Sequence, residues 1–127
     1  MNSTRSLLSI ILASTATLAQ AQSEADWKKY NEFAVGMAYW GYTWEAHELT
    51  TDDGFILTTF HVTGKRDQSV PERDETLNPI VLMHGQACDA TAWVGEGDRS
   101  VTPLPFRLFD RGFDIYLASN RGTKYCQ

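Results

Sequence analysis

Any chemistry in this chain has to start from His84-Gly85-Gln86, where the apolar run Ile80-Val81-Leu82-Met83 breaks off. A residue without a Cβ lets backbone N–H groups come close to a ligand. In open parallel sheets, ligands sit just beyond the carboxyl ends of the strands. Other reactive groups are few. Cys88 and Cys126 are too few for a disulfide scaffold and either form one bridge or stay as free thiols. Neither cysteine lies in a metal-type spacing, and His47, His61 and His84 are scattered along the chain, so neither a metal site nor a cofactor is expected.

The elements that must hold this turn can be read from pattern. Ile80 to Met83 follows Pro79 and shows no polar alternation, so it is expected as a parallel strand covered on both faces. Downstream, Thr102 as N-cap and Pro103 at the first helical position predict a helix carrying Leu104, Leu108 and Phe109, with Gly112 as its stop. Phe113 to Ala118 reads as a second buried strand. Strand, helix, strand over this distance is a βαβ crossover, so His84-Gly85 and Ser119-Asn120 should open on one edge of the sheet.

Upstream, Phe33, Met37 and Trp40 recur on one face of a helix over Asn31–Trp40, with Asn31 as cap and Gly41 as stop. His47–Thr51 and Phe55–Val62 flank Asp52-Asp53-Gly54, a hairpin signal. The second arm is apolar on both faces and is expected inside a larger sheet. Gly64–Asn78, polar and charged, reads as a surface connection.

The 127 residues suffice for one small domain of ordinary globular composition. Residues 1–21 read as a secretory signal: Arg5, the apolar stretch Leu7–Leu18, then Ala19-Gln20-Ala21. That stretch falls short of the roughly 20 apolar residues a membrane span needs. Losing Arg5 takes the formal charge from −5 to −6, which argues against nucleic acid as a partner. Residues 22–127 then form the folded region.

Four blocks, in order, resemble the acid lipases of the α/β-hydrolase superfamily, the gastric and lysosomal group. They are Trp40-Gly41-Tyr42, Glu45 through Leu57, Ile80 through Gly85, and Gly112 through Tyr116 leading to Asn120-Arg121-Gly122. Trp93 also falls where that family commonly has an aromatic. The fold this resemblance implies is α/β: the N-terminal part of an α/β-hydrolase, a β-hairpin leading into a βαβ parallel unit, with an incomplete sheet. The implied parent is a secreted or lysosomal serine esterase acting on neutral lipid esters such as acylglycerols or sterol esters. By the same resemblance the backbone N–H of Gln86 is an oxyanion-hole donor, Gly85 shapes the turn and His84 supports the loop. Two positions depart from the family: members usually carry an apolar residue in place of Gln86, and a small residue in place of Cys88.

The family's nucleophile stands in a G-x-S-x-G elbow, and none occurs in these 127 residues. No serine is placed to pair with His84, which is read as structural. Nucleophile, acid and base are all absent. Asn120-Arg121-Gly122 is either a loop propping the active site or a plain turn. Two functions follow: the N-terminal portion of a lipid ester hydrolase, or a short secreted non-catalytic module. In either case the open sheet edge is a route to self-association.

Overall fold

The structure, a computed structural model, describes residues 23–66, 68 and 73–127. The expected signal segment lies outside the described residues. Ser23 opens the first helix, α1 (Glu24–Lys29), its hydroxyl accepting the Asp26 N–H. The chain bends at the buried Tyr30 and continues as α2 (Asn31–Trp40). Tyr30, not Asn31, takes the cap position, because the bend between the two helices leaves it non-helical. Gly41 stops the helix as expected, at φ 78°, where a glycine carries no Cβ penalty.

Strand β1 (Tyr42–Thr50) starts at once, five residues earlier than its pattern suggested. It pairs antiparallel with β2 (Ile56–Lys65) across the Asp52–Gly54 turn, with a register shift at Thr43/Trp44. The remaining strands are β3 (Ile80–Met83) and β4 (Ile115–Ala118), joined through a 3-10 turn at Ala90–Trp93 and helix α3 (Leu104–Phe109). The sheet order is β1-β2-β4-β3. The β3–β4 pair is parallel, as the crossover requires, and β2–β4 is antiparallel. Pro103 caps α3, one residue later than expected.

One face of the sheet carries the core. Phe33 of α2 stacks on Phe60 of β2 at 3.8 Å, Trp44 meets both rings edge-on, and Phe106 of α3 stacks on Tyr42 at 4.1 Å. Phe33, Met37, Phe60, Phe106, Ile115 and Leu117 are fully buried. The expectation that β3 is covered on both faces fails. Ile80 and Leu82 pack toward the core, but Val81 is 57 % and Met83 46 % exposed. The strand lies at the sheet edge, and among the described residues no element crosses its second face. No helix of the described residues is long and apolar enough to cross a membrane.

Candidate functional site

Parallel pairing sets the position of the site. Met83 stands in register with Ala118, so the segments leaving β3 and β4 diverge from the same edge. Between them lies a cleft of about 290 Å³, walled by residues 84–88 on one side and 120–123 on the other.

His84 ties the two walls together. Its Nε2 accepts the Asn120 backbone N–H at 3.0 Å, so the ring proton sits on Nδ1, which donates to the Gly85 carbonyl at 2.8 Å. Both nitrogens are committed to backbone groups, one on each wall of the cleft. The Cys88 N–H donates to the Gly85 carbonyl at 3.3 Å and closes a tight turn over Gln86 and Ala87. Among the described residues, no acceptor takes the Gln86 N–H.

Ala87 is the left-handed residue of this turn, at φ 60°, a conformation costing an alanine about 1–2 kcal/mol. Gly85 keeps an ordinary φ, and a Cβ built on it meets nothing within 4 Å. Its carbonyl takes the bonds that close the turn, and a Cβ there would enter open space. Sequence alone gave no sign of the strain at Ala87, because alanine is not a residue that marks such a position.

The segment beyond the turn is fixed from two sides. Asp89 caps the 3-10 turn, its Oδ1 accepting the Thr91 N–H at 2.8 Å and the Thr91 hydroxyl. Burial pushes the Asp89 carboxyl up, but the two bonds from Thr91 and the Lys124 ammonium outweigh it, and the carboxyl titrates below the ordinary carboxylate range. From the other side, helix α2 reaches over: Trp40 Nε1 donates to the Gly95 carbonyl at 3.2 Å and the Tyr39 hydroxyl to that of Gly97 at 2.7 Å.

The opposite wall is fastened to the hairpin. Arg121 donates to both carboxylate oxygens of Asp53, at 2.6 and 2.8 Å, and lies 4.4 Å over the Phe55 ring. These contacts hold the Asn120-Arg121-Gly122 turn against the β1–β2 hairpin. Both cysteines are free: Cys88 is exposed at the cleft, and the Cys126 thiol donates to the Ser119 carbonyl at 3.3 Å.

His47 and His61 are brought together in space, while His84 stays at the cleft. Glu45 pairs across the strands with His61, and His47 is two residues along the same strand on the same face. The three side chains meet on the sheet face opposite the helices, away from the cleft. The Glu45-x-His47 spacing was the available signal; its partner His61 is fixed only by register.

A family profile described as a partial alpha/beta-hydrolase lipase region matches residues 34–97, just over half of the chain. The chain belongs to the α/β-hydrolase lipase family. The matched region runs from α2 through the hairpin and β3 to the cleft turn. Among similar proteins, bovine (Bos taurus) gastric triacylglycerol lipase is 34% identical over 92 residues, covering 72% of this chain and 22% of the relative. Human (Homo sapiens) lipase member K is 32% identical over 89 residues, covering 70% and 21%. Triacylglycerol lipase 2 of Arabidopsis thaliana is 31% identical over 93 residues, covering 72% and 22%. The chain thus spans about a fifth of the length of these lipases.

Proposed function

We propose that this chain supplies half of the oxyanion hole of a neutral-lipid ester hydrolase of the secretory route, secreted or lysosomal. The donor is the Gln86 N–H. The observation that carries the reading is that amide itself: it lies in a strained, closed turn at the carboxyl edge of a parallel pair, and no described residue takes its hydrogen.

Attack on an ester carbonyl turns its oxygen into an anion, so a donor already in place is worth most in the transition state. Losing one such donor typically costs ~3–4 kcal/mol. The turn supports this use because the His84–Asn120 bond and the Asp89 cap hold it from both ends. Relatives named for triacylglycerol support acylglycerols as substrates, with sterol esters as the related class. The attacking serine, with no G-x-S-x-G among these residues, has to come from outside them.

Two measurements test the reading. The purified 127-residue chain should not turn over a p-nitrophenyl ester above buffer, since a donor without a nucleophile does not run a two-step acyl transfer. Saturable hydrolysis accompanied by serine-probe labelling would overturn this. In the polypeptide that carries the serine, Gln86→Pro should lower kcat by roughly 10²–10³ with little change in KM, whereas Gln86→Ala keeps the amide and should keep kcat. A folded Gln86→Pro enzyme with full kcat would refute the donor.

A further inference from the structure

On the sheet face opposite the helices, antiparallel register puts Glu45 across from His61, and His61 across from Tyr116 of β4. Glu45 Oε1 lies 2.9 Å from His61 Nδ1 and 3.1 Å from His47 Nε2. One ligand atom from each of the three residues falls within 4.8 Å of the other two. A tetrahedral ion with bonds of about 2.0–2.2 Å holds its ligand atoms roughly 3.3–3.5 Å apart, so Glu45 stands near that spacing from both imidazoles, and the His47–His61 separation, within 4.8 Å, is the one that has to close on an ion.

We infer that Glu45, His47 and His61 form a binding site for a divalent transition metal of the zinc class. Three observations carry it. First, His61 already has the support that a metal-bound imidazole uses. Its Nε2 lies 2.7 Å from Asp114 Oδ1, and its ring stacks on Tyr116 at 4.4 Å, 7° from parallel. Asp114 is in turn held by Arg73 at 3.0 Å and by the Tyr116 hydroxyl at 3.2 Å.

Second, the edge of His61 that faces Glu45 carries a replaceable hydrogen. Arg73 has donors only, so at 2.8 Å it gives a hydrogen to Nε2, and the ring hydrogen then sits on Nδ1 and bridges to Glu45 Oε1 at 2.9 Å. An ion takes the place of that Nδ1 hydrogen, with Nε2–H then turned to Asp114.

Third, the site is accessible. His61 is nearly buried, at 9 % side-chain exposure, but His47 and Glu45 are about half exposed, so an ion can enter and keep a fourth position open to water. Two imidazole nitrogens and one carboxylate oxygen suit zinc, copper or nickel rather than calcium or magnesium, which take oxygen ligands.

The test is titration of the purified chain, thiols alkylated, with Zn²⁺ by calorimetry, and with Co²⁺ by visible absorption. One Zn²⁺ per chain is expected, with Co²⁺ giving the intense bands of a low-coordinate site. Asp114→Asn, which only orients His61, should weaken binding about 10–100-fold, and His47→Ala or Glu45→Gln at least as much. His47 and Glu45 are exposed, so their variants should fold; circular dichroism checks this. His84 remains in every variant, so binding there would survive these changes. Affinity unchanged in His47→Ala, or no saturable binding below about 1 mM, would mean that a proton alone bridges Glu45 and His61, and the inference would fall.

Discussion

Gly36 sits in the middle of α2, and its replacement by alanine separates local propensity from packing. In an exposed helix interior, Gly→Ala stabilises by about 1 kcal/mol. Here a Cβ built on Gly36 lies 2.4 Å from the Val94 carbonyl oxygen and 2.9 Å from Val94 Cγ2. Ordinary carbon contacts begin near 3.5 Å, so the helix and the 3-10 segment have to separate by about 1 Å. Val94 is fully buried, and its offending atom is backbone, so no rotamer change relieves the contact. Overpacking of this kind costs about 1–3 kcal/mol. With the propensity gain subtracted and the upper range favoured by a backbone clash, Gly36→Ala should destabilise the chain by about 1–2 kcal/mol. That is a fall in Tm of roughly 5–15 °C for a domain of this size. Urea denaturation followed by circular dichroism measures it as a lower midpoint at unchanged slope. Amide exchange should quicken across residues 90–97, the segment that leads out of the cleft. A midpoint equal to or above that of the parent would refute the packing argument.

Four further outcomes follow from the same geometry. His84→Ala removes the acceptor of the Asn120 N–H and should cost about 1–2 kcal/mol, read as lost exchange protection at Asn120; unchanged protection would show that His84 does not tie the walls. Asp89→Ala should cost about 1 kcal/mol at neutral pH through loss of the cap. Because the folded carboxyl titrates below its unfolded value, that difference is present above about pH 4 and lost as pH falls through the folded value, which urea midpoints at neutral and acid pH compare. Tyr30, Tyr42, Tyr116 and Tyr125 have phenol pKa values raised, foremost by burial. Their contribution is complete below about pH 10 and is lost above it as they ionise, so ultraviolet difference spectra should show them lagging free tyrosine, and simultaneous titration with free tyrosine would contradict the burial. Finally, β3 with Val81 and Met83 exposed should drive concentration-dependent self-association in sedimentation, reduced by Val81→Lys; a monomer at all concentrations would contradict this.

Much of the fold was legible because its signals are local. Gly41 after an apolar helical stripe, Asp53-Gly54 between two strand arms and Pro103 before Leu104 each set the backbone within a few residues, and all three elements formed within five residues of expectation. The His84-Gly85 turn was legible for the same reason. Its geometry was not: the left-handed residue is Ala87, and the brace is a bond from His84 to an amide 36 residues later. The cover of β3 was misjudged because an apolar run states what a strand tolerates, not what packs on it.

The sequence by itself determined that a parallel pair ends at His84-Gly85 and Ser119-Asn120, since period, glycine and proline act over the reach of one turn or strand. Only the tertiary structure decided that Arg121 reaches Asp53, that Val94 excludes a methyl at Gly36, and that Glu45, His47 and His61 share one face. Each of those depends on register and layer spacing between segments far apart in the chain, and no local pattern encodes the partner.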